Sequence, residues 1–284
     1  MNLEQNLTDA LSQSPEGKAE EAWPADAHLH QPPEETQLLL AERSSCLSVK
    51  TYLGMCGLPI VERISNNAEF MSPGGRLTRL PLLRLGPVKT VAEFEPIVAQ
   101  AEAMQGGQAL DSWMSEDQRD NVRSLVNYVE NVFTLAEIHM SFVDEVNYQR
   151  YTATRSGAAY PWPLSFLRRR AKKKEALRIL KVYQWEDQNN DQVLHEVGVC
   201  ADTLMGQMEQ NEPEEHYFCG SRLCALDALV FGHVATILTT ALPNMELAEV
   251  LTAYPCLLAH CWHIDQLVYG GKILGCEKEP EVLE

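Results

Sequence analysis

Cys46 stands in SSCLSVKTYLGMCG (residues 44–57), whose spacing predicts a helix ending at Gly57. A thiol near a helix start has its thiolate stabilised by the helix dipole, as a glutathione-dependent thioltransferase nucleophile requires. The plainer reading, adopted here, is a thiol on a helix face beside Ser44 and Ser45. Cys256, His260 and His263 fall at i, i+4 and i+7, a spacing that lets side chains converge on zinc. The same positions form the buried face of a terminal helix and no fourth ligand accompanies them, so no metal or other cofactor is assigned. His233 has no nucleophile at helical spacing, and its only nearby carboxylate, Asp227, lies almost two turns back. It reads as a core histidine.

Residues Arg168 to Lys181 hold eight cations and one Glu in a chain of net charge −17. Arg168, Arg169, Arg170, Lys172, Lys173 and Lys174 form its dense part. They are candidate contacts for anionic lipid headgroups or an acidic partner, against the plain reading of a solvated helix face with Leu177 and Leu180 turned inward. Before them, YPWPL (160–164) brackets Trp162 between two prolines and cannot be regular helix. Trp162 is either an exposed aromatic anchor or part of a buried corner between helices, and the corner is the preferred reading.

Among the elements that position these groups, AHLHQ (27–31), QLLLA (37–41) and PIVERI (59–64) read as strands. RLTRLPLLRL (76–85), interrupted by Pro81, and VKTV (88–91) read as a hairpin through Gly86-Pro87, and EFEPIVAQAEAM (93–104) as a helix stopped by Gly106-Gly107. A proline inside an apolar strand pattern implies an edge, a bulge or a cis bond, so Pro81 is a candidate cis-proline. From Leu110 the period becomes helical. Ser115 and Gln118 make a capping box ahead of a face of Val122, Leu125, Val126, Val129, Phe133 and Ala136; Leu194, Val197, Ala201, Leu204 and Met208 form a later face. Leu3, Leu7 and Leu11 suggest one short helix in an acidic arm.

LDALVFGHVATILTT (226–240) is the longest nearly uncharged run. From Ala228 to Leu242 it would rise about 22 Å as a helix, short of a hydrocarbon core of about 30 Å, so it reads as a buried helix of a folded domain. Asp227 lies three residues after Cys224, where the acidic member of an N-terminal capping box stands; a thiol in the hydroxyl's place weakens that box. With 45% hydrophobic and 22% charged residues among 284, the chain is a folded protein of one or two domains, and its acidity argues against nucleic acid as a partner. The N-terminus shows neither a secretory signal nor a mitochondrial presequence, so a cytosol-facing protein with its eight cysteines reduced is expected.

A strand-helix-strand-hairpin-helix unit followed by helices resembles the glutathione-transferase architecture. The expected fold is therefore an α/β thioredoxin-like domain (27–107) followed by an all-α domain (108–284), after an arm at 1–26. YPWPL, Asp191-Gln-Val-Leu194, Leu226-Asp-Ala-Leu-Val-Phe-Gly-His233 and Thr236-Ile-Leu-Thr-Thr240 resemble the metaxin family more particularly. Met55-Cys-Gly-Leu-Pro-Ile60, Ala68-Glu-Phe-Met-Ser-Pro73 and Glu93-Phe-Glu-Pro-Ile-Val98 fit the same family.

That resemblance implies a non-catalytic adaptor, peripheral on the cytosolic face of the mitochondrial outer membrane. Its implied partners are metaxin 1 and the β-barrel sorting and assembly machinery, with a role in protein import and in mitochondrial organisation and transport. An active glutathione transferase needs a thiolate-holding residue at its first helix, a cis-proline exposing backbone for the tripeptide, and a carboxylate-hydroxyl pair after the fourth strand. Pro81 would supply the second. At the third place Glu93 is followed by Phe94, so no catalytic residue is assigned.

Overall fold

A computed structural model of the protein describes residues 22–71, 79–87, 89–105, 109–209 and 215–276. The expected helix of the acidic arm and the stop at Gly106-Gly107 lie outside the described residues. The first unit is a four-stranded sheet, β1 (His28–Gln31), β2 (Val61–Ile64), β3 (Leu82–Leu85) and β4 (Lys89–Ala92), in the order β2-β1-β3-β4. β1 runs parallel to β2 with His28 opposite Val61, and antiparallel to β3 with Leu29 opposite Leu83. β3 and β4 form the expected hairpin; Gly86 takes a φ of 61°, which a residue without Cβ adopts at little cost.

Helix α1 (Leu40–Met55) connects the two parallel strands, and α2 (Phe94–Gln105) follows β4. The run QLLLA is not a strand. Leu38 and Leu39 lead directly into α1, whose first turn is closed by the Leu39 N–H donating to Glu42 Oε2 at 3.0 Å. A short apolar run reads equally as buried strand or buried helix, and here the acidic residue at the third helical position decides for helix. The consequence is that Cys46 sits in the second turn of α1, not at its start.

The longer helices of the helical unit are α3 (Glu116–Phe142), α4 (Leu164–Val182), α5 (Asn190–Met208), α6 (Ala225–Thr239), α7 (Glu246–Thr252) and α8 (Pro255–Tyr269), with short helical turns between α3 and α4. The Ser115 box caps α3, the Gln118 N–H donating to Ser115 Oγ at 3.3 Å and the Ser115 N–H to Gln118 Oε1 at 3.0 Å. Helix α6 is the core of the molecule, buried without interruption from Ala225 to Ile237. At its N-terminus Asp227 Oδ2 accepts the Cys224 N–H at 2.7 Å, while Oδ1 accepts the Phe218 N–H at 3.0 Å and hydrogen-bonds His260 Nε2 at 2.9 Å. One carboxylate thus closes the cap and ties α6 to α8.

The two units meet where α1 lies against α6. A Cβ placed on Gly232 would come 2.0 Å from Ser48 Oγ and 2.5 Å from the Ser48 backbone nitrogen, so the helices touch backbone to backbone. Ser44, Ser48 and Thr51, all fully buried, line the α1 side of this seam.

Near the start of α6, Asp111 is 6% exposed and its Oδ1 has no hydrogen-bond partner. Burial, reinforced by Glu102 and Asp227, pushes its carboxyl up to about 6. A carboxyl held above its unfolded value contributes stability at low pH that is lost as pH rises through the folded value. Asp111→Asn is therefore expected to raise stability at pH 7 by up to about 3 kcal/mol and to flatten the loss between about pH 4 and 6, measured by urea unfolding across that range.

Candidate functional site

The sheet unit and the helical unit enclose a groove of about 590 Å³. Its floor is the N-terminal half of α1 and the Leu80-Pro81 peptide, which is cis; its far wall is α3 and α4. The resemblance to a glutathione transferase, carried over to function, would put a tripeptide site beside this cis-proline.

Successive residues of α1 point in different directions, about 100° apart. Ser44 reaches back to α3, its Oγ 2.6 Å from Glu137 Oε1. Ser45 lines the groove, but its Oγ donates to the Leu80 carbonyl at 2.8 Å, occupying the backbone acceptor beside the cis-proline. Cys46 turns away into a small apolar cluster with Leu38, Ala68 and Leu80; it is 3% exposed, and burial pushes its thiol far up. A thiol so placed is a packing group. Glu93 enters α2 with a φ of 72°, and Phe94 beside it is buried with its ring edge-on to Tyr52 at 6.2 Å.

The charges around the groove answer one another across it. Arg168 pairs with Glu69, and Lys172 lies 2.8 Å from Glu42 and 3.3 Å from Glu69. Burial opposes the charge on Lys172, yet Glu42 and Glu69 outweigh it and hold its pKa above the usual lysine value. Two cations of the basic run therefore bind the helical unit to the sheet unit. Arg169, Arg170, Lys173 and Lys174 have no carboxylate partner among the described residues; Arg170 lies over Phe166 at 5.2 Å and Lys173 over Tyr148 at 3.6 Å. In the wall, burial raises the pKa of Glu130 against the lowering influence of His233 and Arg79.

His233 is buried, and its Nδ1 lies 2.8 Å from Glu137 Oε1, the oxygen that Ser44 also reaches. Spacing along α6 could not reveal Glu137, which sits on α3 four residues after the core residue Phe133. That carboxylate on an otherwise apolar face was the available signal. His260 is committed to Asp227, while the His263 ring stacks on His216 at 3.8 Å, so the suggested zinc ligands do not converge. Among the described residues no group of three His, Cys, Asp or Glu side chains could hold a metal ion. Trp162 corrects the preferred corner reading. It is 83% exposed, and the segment leads directly onto α4 instead of tucking beneath it.

Residues 46–173 match a family described as outer mitochondrial membrane transport complex protein, and residues 213–264 match the glutathione S-transferase C-terminal domain. Human metaxin-2 is 37% identical over 248 residues, covering 87% of this chain and 90% of that protein. The chain belongs to the metaxin family. The Caenorhabditis elegans metaxin-2 homolog is 30% identical over 84% of this metaxin and 96% of its own length; mouse metaxin-1 is 26% identical over 78% and 69%.

Among solved structures this metaxin superposes on a glutathione S-transferase from Sinorhizobium meliloti with a TM-score of 0.53 at 10% identity, covering 89% of this chain and 94% of that one. A Ceriporiopsis subvermispora glutathione S-transferase in complex with glutathione gives 0.53 at 12% identity, covering 86% and 98%. The expected fold class, a thioredoxin-like unit followed by a glutathione-transferase-like helical unit, is the one this metaxin has. No helix of the described residues is long and apolar enough to cross a membrane.

In the native protein Cys46 is expected to react with iodoacetamide on the order of a hundredfold slower than the exposed Cys276, as read by mass-spectrometric peptide mapping. Equal rates would return Cys46 to the list of candidate nucleophiles.

Proposed function

We propose that this metaxin is a non-catalytic adaptor, peripheral on the cytosolic face of the mitochondrial outer membrane, that pairs with metaxin 1 in the β-barrel sorting and assembly machinery. Residues 27–107 and 108–284 act in it as the two docked units, after the arm at 1–26. The observation that carries the non-catalytic reading is the state of the positions that chemistry would need. Ser45 holds the Leu80 carbonyl, Cys46 is packed away and Phe94 stands where a hydroxyl would be needed. The family description and the metaxin relatives support the outer-membrane setting. Roles in mitochondrial organisation and transport follow from the same pairing.

The full-length chain co-expressed with metaxin 1 is expected to co-elute with it in size-exclusion chromatography and to pass through immobilised glutathione unretained. Separate elution, together with retention on glutathione and turnover of a mixed disulfide, would replace this reading with the glutathione-dependent transferase or thioltransferase.

A further inference from the structure

The solvent face of α4 carries a combination of groups that the groove does not use. Trp162, Leu164, Phe166 and Leu167 are 83%, 44%, 46% and 57% exposed, four large apolar side chains within six residues. Contiguous exposed apolar groups, unlike scattered ones, mark a contact surface. At about 100° per residue, Phe166, Leu167, Arg170, Lys174 and Leu177 fall within an arc of about 100°. Ala176 and Leu180, buried against the bundle, and Arg168 and Lys172, paired with the sheet unit, lie on the other side. The arc therefore faces away from both units.

Its charge runs against that of the molecule. The chain carries −17 overall, yet Arg170 and Lys174 are exposed and have no carboxylate partner among the described residues. Arg170 lies over the Phe166 ring at 5.2 Å, its charged head beside an apolar body. Exposed cations close in the chain to exposed Trp, Phe and Leu side chains suit an anionic bilayer surface, where the rings enter the headgroup boundary and the cations meet phosphates. An acidic protein partner could satisfy the same groups; the outer-membrane family that residues 46–173 match favours the bilayer surface.

We infer that Trp162 and the outer face of α4 form a docking surface for anionic phospholipid membranes, with Trp162, Phe166 and Leu167 inserting at the headgroup level and Arg170 and Lys174 supplying the charge contact. The inference rests on the outer-membrane reading for its setting but not for its chemistry.

The test is flotation of the purified full-length chain with phosphatidylcholine vesicles, with and without phosphatidylserine. Binding is expected to the anionic vesicles and to fall with added salt, since screening shortens from about 8 Å at physiological ionic strength to about 3 Å at 1 M. Arg170→Ala with Lys174→Ala should weaken it on the order of tenfold to thirtyfold, and Trp162→Ala about tenfold, with thermal melting unchanged because these side chains are exposed. Absence of binding, equal binding to neutral and anionic vesicles, or parental binding by these variants would overturn the inference. Loss of metaxin 1 association with vesicle binding unaltered would reassign the face to a protein partner. Vesicle binding retained by a chain that never joins metaxin 1 would instead sink the adaptor reading and leave this one standing.

Discussion

The structure depends on the seam between α1 and α6. At Gly232 the two helices approach so closely that any side chain would collide with the backbone of Ser48, and the residues facing it along α1 are small and hydroxylated. Ser48 Oγ donates to the Ser44 carbonyl at 2.9 Å and lies 3.3 Å from that of Leu229. Small side chains let the backbones meet, and the hydroxyls find acceptors in a place with no water to supply them. One turn away, Glu137 joins Ser44 of α1 to His233 of α6, so a fully buried carboxylate from a third helix fixes the crossing. Removing one member of such a group leaves buried hydrogen-bonding atoms of the others unsatisfied, at a cost of roughly 1–3 kcal/mol.

That docking explains what became of the groove. Because Ser44 must face Glu137, the helical rotation of α1 is set, and the next two residues have no choice of direction. Ser45 meets the Leu80 carbonyl and Cys46 enters the cluster of Leu38, Ala68 and Leu80. The Leu80-Pro81 peptide is cis and the groove lies beside it, while Ser45, Arg168 and Lys172 on its walls are engaged in internal contacts. A protein built this way keeps a fixed shape and presents its outer surfaces, which suits an adaptor.

Much of this was legible in the sequence where a local rule and the tertiary structure agree. The Ser115 box, the Asp227 cap, the hairpin at Gly86 and the uncharged run of α6 each carry their own signal. Where a segment was apolar without a period, as at QLLLA, strand and helix could not be told apart, and the error displaced Cys46 toward a dipole it does not feel. Trp162 went astray because two prolines exclude helix without saying which side of the chain meets solvent. The Glu137–His233 pair was invisible to spacing, since its members lie 96 residues apart on different helices.

Native-state hydrogen exchange, comparing the parent with Gly232→Ala, tests the seam most directly. In the parent, the slowest amides of β1 and β3 should exchange with the same opening free energy as those of α6, because the two units open together. In Gly232→Ala that energy should drop by about 3 kcal/mol or more, and Ser48→Gly should not rescue it, since the clash with backbone atoms remains. Parental protection in Gly232→Ala, or a sheet unit that opens independently of α6 in the unaltered chain, would contradict the account.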